Sequence, residues 1–118
     1  SSYQLHIVSG EEDGRLYELR LETKRVFLIG RDENNTITIK SDKKGTVSRH
    51  HCTIETDEYA KRWIVRDGQW MSDKRQWEAS RNGTYVNSVP VTSNGYRLYH
   101  GDIISIGDVS LRFEKTNP

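Results

Sequence analysis

Short alternating or apolar runs recur along this chain between Gly, Asn, Asp and Ser punctuation. Tyr3-Gln4-Leu5-His6-Ile7-Val8 alternates, Ser9 to Gly14 reads as a polar turn, and Arg15 to Leu21 follows as the second arm of a hairpin. Further runs are Arg25 to Ile29, Thr36 to Ile39, His51 to Thr56, Arg62 to Val65, Thr84 to Val86, Ile103 to Ile106 and Val109 to Phe113. Helical periodicity is hard to find anywhere. The pattern predicts an all-β domain, and strands about ten residues apart predict a sandwich or a barrel.

Length narrows this to one compact domain, because 118 residues leave no room for a second. Residues 1–118 are expected to be a single domain excised from a larger protein, with Lys115 to Pro118 reading as the start of a linker. Hydrophobic residues are 33% of the chain, enough for a thin core to which three Trp, six Tyr and two Phe contribute. Eighteen Lys plus Arg against seventeen Asp plus Glu leave a formal charge of +1, so no overall field would hold nucleic acid or an anionic membrane. Any affinity for anions must be local. The single cysteine, Cys52, has no partner for an intramolecular disulfide, which points to a reducing, cytoplasmic setting. No apolar run approaches the roughly 18 residues of a membrane span, and the start of the chain carries no signal-peptide core.

Catalytic chemistry finds little support. There is no phosphate-binding Gly-rich loop ending in Lys-Ser/Thr, no Cys-x-x-Cys and no His-Glu-x-x-His, and nothing asks for a cofactor. His50-His51-Cys52 resembles a metal cluster only superficially, since neighbours on a strand face apart and at most His50 and Cys52 share a side. The same alternation argues against a Cys-His nucleophilic pair, and against a hydrolase built from Ser48 and His51. The acidic run Glu11-Glu12-Asp13 reads as a solvated hairpin turn.

What stands out is a set of short polar motifs at the ends of strands. Gly30-Arg31 closes the third run, Ser48-Arg49-His50-His51 opens the fifth, Arg81-Asn82-Gly83-Thr84 leads into a later strand, and Gly101-Asp102 precedes the Ile103 run with its Ile-x-Ser-x-Gly pattern. Loops on a rigid sandwich are where binding residues concentrate. Gly-Arg or Asn-Gly-Thr alone would carry little weight, and Asn82-Gly83 by itself is equally a plain type I′ hairpin turn. The ordered set, spread over nearly the whole chain, resembles the forkhead-associated (FHA) domain.

That resemblance implies an eleven-stranded β-sandwich whose loops at one end bind phosphothreonine in a partner protein, with no enzymatic activity. Arg31, Ser48 and Arg49 are the implied phosphate ligands, and Asn82 is implied to bond the main chain of an extended peptide. His51 is implied to be a buried structural residue tying the phosphate loop to neighbouring backbone, with Gly30, Gly83 and Thr84 as scaffold. The chemistry agrees: a phosphothreonine carries about −1.5 to −2 charges and three acceptor oxygens, which call for guanidinium forks, a hydroxyl and backbone donors.

Two features depart from the family pattern. Arg81 stands directly before Asn82, where a small or hydroxylated residue is usual; it either adds a third cation to the phosphate site or projects into solvent. Residues 68–79 are an insertion, in which Trp70 and Trp77 flank the polar tip Ser72-Asp73-Lys74-Arg75. They predict an aromatic-clasped hairpin, either self-contained or an added wall beside the peptide groove. Lys43, Lys44 and Thr46 lie in the loop that leads to Ser48 and are expected to help choose the ligand residues flanking the phosphothreonine. The expected partner is therefore a phosphothreonine protein or peptide, bound by a monomer. The alternative is a phosphate-independent interaction or dimerisation module using a sheet face or the Trp70/Trp77 hairpin. An oligonucleotide-binding barrel would need a basic groove that the charge balance does not provide.

Overall fold

The computed structural model describes residues 2–22, 24–40, 44–57 and 59–116. Thirteen strands are formed among them: β1 (Ser2–Ser9), β2 (Leu16–Glu18), β3 (Val26–Gly30), β4 (Ile37–Thr38), β5 (Cys52–Thr56), β6 (Trp63–Asp67), β7 (Gln69–Met71), β8 (Gln76–Glu78), β9 (Thr84–Val86), β10 (Val89–Val91), β11 (Tyr96–Leu98), β12 (Ile103–Ile106) and β13 (Val109–Thr116). A six-stranded sheet runs β10-β9-β12-β13-β1-β2 and a five-stranded sheet β11-β6-β5-β3-β4. Those two sheets hold eleven strands, and β7 with β8 forms a separate two-stranded hairpin. The fold is an all-β sandwich carrying one small extra hairpin.

Alternation makes the core. Leu5, Ile7, Val86, Ile104, Ile106, Leu111 and Phe113 face inward from the first sheet, and Phe27, Ile29, Cys52, Ile54, Trp63 and Val65 from the second, all buried. One end of the sandwich is closed by rings. Trp63 at the start of β6 lies 4.8 Å from Tyr3, 5.5 Å from Phe113 and 6.0 Å from Phe27, between ring centroids. The opposite end, where β3 and β6 finish and β5 begins, carries the polar motifs.

Two strands escape the pattern analysis. β10 contains Pro90, which normally argues against a strand; here it pairs with Tyr85 on the sheet edge, where a missing N–H is tolerated. β11 is only three residues long and also lies on an edge. The Gly101-Asp102 turn joins β11 to β12, with Gly101 N–H donating to Phe113 O and Asp102 Oδ2 accepting from Tyr99 N–H.

Candidate functional site

Three chain segments meet at the polar end of the sandwich. The Arg31 N–H donates to Ser48 O at 3.0 Å and the Asp32 N–H to Arg49 O at 3.2 Å, so the loop after β3 lies directly against the loop before β5. The approach is close because of Gly30: a Cβ there would stand 2.2 Å from Arg49 O. The Arg81 N–H donates to Ser48 Oγ at 3.0 Å, which brings in the loop before β9. Arg31, Ser48, Arg49, Arg81 and Asn82 are thereby gathered at one end although they span 52 residues of sequence.

His51 locks this arrangement. It is fully buried, and its Nδ1 accepts from the Ser48 N–H at 2.9 Å. That bond assigns the ring proton to Nε2, which donates to Gly83 O at 2.8 Å. One imidazole thus joins the Ser48 loop to the Asn82-Gly83 loop. Residues 48–51 form a turn and not a strand, so the expectation that alternation separates Ser48 from His51 has the wrong premise. His51 nevertheless addresses the main-chain N–H of Ser48, while Ser48 Oγ is engaged by Arg81. The premise fails for His50 too, which lies in that turn while Cys52 opens β5. Burial pushes the Cys52 thiol far above its ordinary range, with the Asp67 carboxylate adding to the effect, and so removes the nucleophilic thiolate.

Arg31 uses Nε to donate to Val47 O at 3.1 Å, which fixes the guanidinium and leaves both terminal nitrogens. Arg49 and Arg81 are exposed. Among the described residues no carboxylate pairs with any of the three. Three guanidiniums without counterions, together with a hydroxyl, can receive a multiply charged anion. Asn82 is exposed beside them, and its Nδ2 donates to Thr46 O at 2.9 Å. Lys44 Nζ stands 3.9 Å from Asp108 Oδ2, a weak exposed pair, and Lys43 lies outside the described residues.

Beneath the loops is a buried polar layer that the sequence motifs do not announce. Asp67 Oδ1 accepts from Ser80 Oγ at 2.5 Å and from Thr84 Oγ1 at 2.7 Å, and Oδ2 accepts from the Ser80 N–H at 3.2 Å. Ser80 Oγ in turn accepts from the Gly83 N–H. Asn35 Nδ2 donates to Asp32 O and to Arg49 O, while Asn35 Oδ1 accepts from Gln69 Nε2 at 2.8 Å. Gln69 is the first residue of the inserted hairpin and is almost fully buried, so the insertion is rooted in the loop network.

The hairpin itself has the predicted cross-strand Trp70–Trp77 pair. Trp77 Nε1 donates to Asp67 O, and Thr53 Oγ1 on the outer sheet face donates to Gly68 O. The hairpin is therefore not self-contained: it overhangs the outer face of the five-stranded sheet, enclosing a trough of about 370 Å³ with Val26, Leu28, Glu55 and Arg66. Trp70 is 56% exposed at its rim.

An eleven-stranded sandwich with cationic loops gathered at one end defines a class of binding modules, and the comparisons agree on which. The FHA domain family profile matches residues 27–107, and the chain belongs to the FHA family. An FHA domain solved in an analysis of phosphothreonine-dependent FHA interactions is 25% identical, with a TM-score of 0.73 and full coverage of both chains. Mycobacterium tuberculosis EmbR in complex with a low-affinity phosphopeptide is 28% identical over 97% of this chain and 24% of that one, with a TM-score of 0.71. An FHA domain of an Arabidopsis thaliana hypothetical protein is 25% identical over 99% of this chain and 87% of that one, with a TM-score of 0.76. No curated protein sequence matches the chain. FHA domains are phosphothreonine-binding modules and not catalysts. Among the described residues no helix is long and apolar enough to cross a membrane, and no group of three or more His, Cys, Asp or Glu side chains is arranged to hold a metal ion.

Proposed function

We propose that this domain binds phosphothreonine segments of partner proteins through its loop end, as a monomer working in the cytoplasm within a larger signalling protein. The observation that carries the reading is that main-chain hydrogen bonds bring the loops of Arg31, of Ser48-Arg49 and of Arg81 together at one end, with no acidic partner for the cations among the described residues. In this reading Arg31 and Ser48 Oγ hold the phosphate, Arg49 and Arg81 neutralise its remaining charge, and Asn82 bonds the ligand main chain. His51, Gly30, Gly83 and Thr84 keep the loops in place. Lys43, Lys44 and Thr46 bias the flanking sequence, the lysines toward an acidic ligand residue that competes with Asp108 for Lys44. Charge-assisted bonds of about 1.5–3 kcal/mol each make Arg31→Ala a loss of roughly ten- to hundredfold in affinity.

Calorimetric titration with degenerate phosphothreonine, phosphoserine and unphosphorylated peptide pools tests this. Binding confined to the phosphothreonine pool and lost in Arg31→Ala supports it; equal binding of the unphosphorylated pool overturns it. The exposed Trp70 over its trough favours one second reading, a phosphate-independent contact through the hairpin and sheet face. In that case Trp70→Ala, and not Arg31→Ala, would abolish partner binding.

A further inference from the structure

The amide of Asn82 is not free to rotate. Its Nδ2 is committed to Thr46 O at 2.9 Å, so its Oδ1 is presented on the other side. Thr46 is itself held from behind. Its Oγ1 accepts from the Asp108 N–H at 2.9 Å, and the β12–β13 turn packs so tightly against it that a Cβ on Gly107 would stand 2.4 Å from Thr46 Oγ1 and 2.6 Å from Thr46 O. Gly107 has φ +59, so substitution is opposed by backbone conformation as well as by space. The next residue, Val47, is fully buried in the hydrophobic core and anchors the loop there. An unbroken chain of contacts therefore runs from the Gly107-Asp108 turn, through Thr46, to the side chain of Asn82.

We propose that the Gly107-Asp108 turn is a positioning element for ligand recognition: acting through Thr46, it orients Asn82 so that Oδ1 accepts a main-chain N–H of the bound peptide. This rests on the phosphothreonine-peptide reading and adds to it the polarity of the Asn82 contact and the residues that enforce it. A rotated amide would present Nδ2 to a ligand donor, and the bond would be lost.

The experiment is calorimetry with the phosphothreonine peptide pool on the wild type, Gly107→Ala, Thr46→Val, Thr46→Ser, Asn82→Ala and the Gly107→Ala/Asn82→Ala pair, with NMR of the Asn82 side-chain amide in the free domain. Gly107→Ala and Thr46→Val should each weaken binding roughly three- to tenfold, the worth of one hydrogen bond. Thr46→Ser, which keeps the acceptor for the Asp108 N–H, should recover affinity relative to Thr46→Val and leave the Asn82 amide resonances where they are in the wild type. Gly107→Ala should cost nothing further once Asn82 is alanine, because both act through one contact. The Asn82 amide resonances should shift in Gly107→Ala and Thr46→Val before any peptide is added. Unmoved Asn82 resonances in folded variants, or losses that add in full to that of Asn82→Ala, would overturn the inference while the phosphothreonine reading stands. A wild type that does not bind the pool would overturn that reading and, with it, the ligand contact assigned to Asn82.

Discussion

The two ends of the sandwich are built from different materials. At one end Tyr3, Phe27, Trp63 and Phe113 pack ring against ring, and the indole nitrogen of Trp63 is buried without a hydrogen-bond partner. At the other end Asn35, His51, Asp67 and Gln69 are buried among hydrogen bonds. Hydrophobic burial is non-directional, and the area these rings bury offsets the cost of one orphaned N–H. A hydrogen-bond network fixes positions and tautomers, and each member removed leaves others unsatisfied. The aromatic end supplies stability, whereas the polar end supplies geometry, and recognition of an anion needs the second.

That contrast is open to direct attack. Trp63→Ala should cost about 3–5 kcal/mol in chemical denaturation, as large aromatic truncations do, while the fraction that remains folded keeps its affinity for the phosphothreonine pool. If affinity fell in proportion, the two ends would not be separable. Asp67→Ala should cost less, about 1–3 kcal/mol for stranding the Ser80 and Thr84 donors, yet it should also weaken peptide binding by loosening the Asn82 loop. Unchanged binding in that variant would remove Asp67 from the positioning layer. Thiol reagents provide a third check, because Cys52 is buried and its thiolate suppressed: the native domain should be modified only as fast as it opens, and denaturant should release the reaction.

The smallest effect belongs to neither end. On the solvent face of the six-stranded sheet, the Gln4 side chain, then His6 and Arg112, hold the Glu114 carboxyl below its ordinary range. A carboxyl depressed in the folded state stabilises above its unfolded pKa and loses that contribution as pH falls through the folded one. Glu114→Gln should therefore be slightly less stable than wild type at neutral pH, and the difference should close in acid. A gap that widened in acid would reverse the assignment.

The same contrast explains what was legible in the sequence. Alternation revealed the strands that line the core, since Leu5 and Ile7 or Ile104 and Ile106 repeat with the period of a half-buried sheet. It passed over β10 and β11, where three-residue edge strands give a period too little length and Pro90 argues for a turn. At the loop end the motif residues Arg31, Ser48, Asn82 and His51 could be singled out because they fall in recognisable short strings. Asn35, Gln69 and Ser80 could not, because an Asn, Gln or Ser in a loop looks the same in sequence whether it faces water or bridges segments 34 residues apart, as Gln69 and Asn35 do. Gln69 directly after Gly68 was the available signal, a polar residue where the inserted hairpin leaves the scaffold. The insertion was readable from its two tryptophans, whereas its fold back over Thr53 depends on contacts that no spacing encodes.

The central claim is that the polar loop end is already built in the free domain. Amide hydrogen exchange on the free domain tests it most directly, through the Ser48 N–H held by His51, the Gly83 N–H held by Ser80 and the Gly68 N–H held by His51 O. The account predicts that these three loop amides exchange as slowly as strand amides such as those of Ile54 and Ile104, because opening them requires the buried network to come apart. Exchange at the rate of the exposed Ser72–Arg75 tip would contradict it, and would mean that the ligand itself assembles the site.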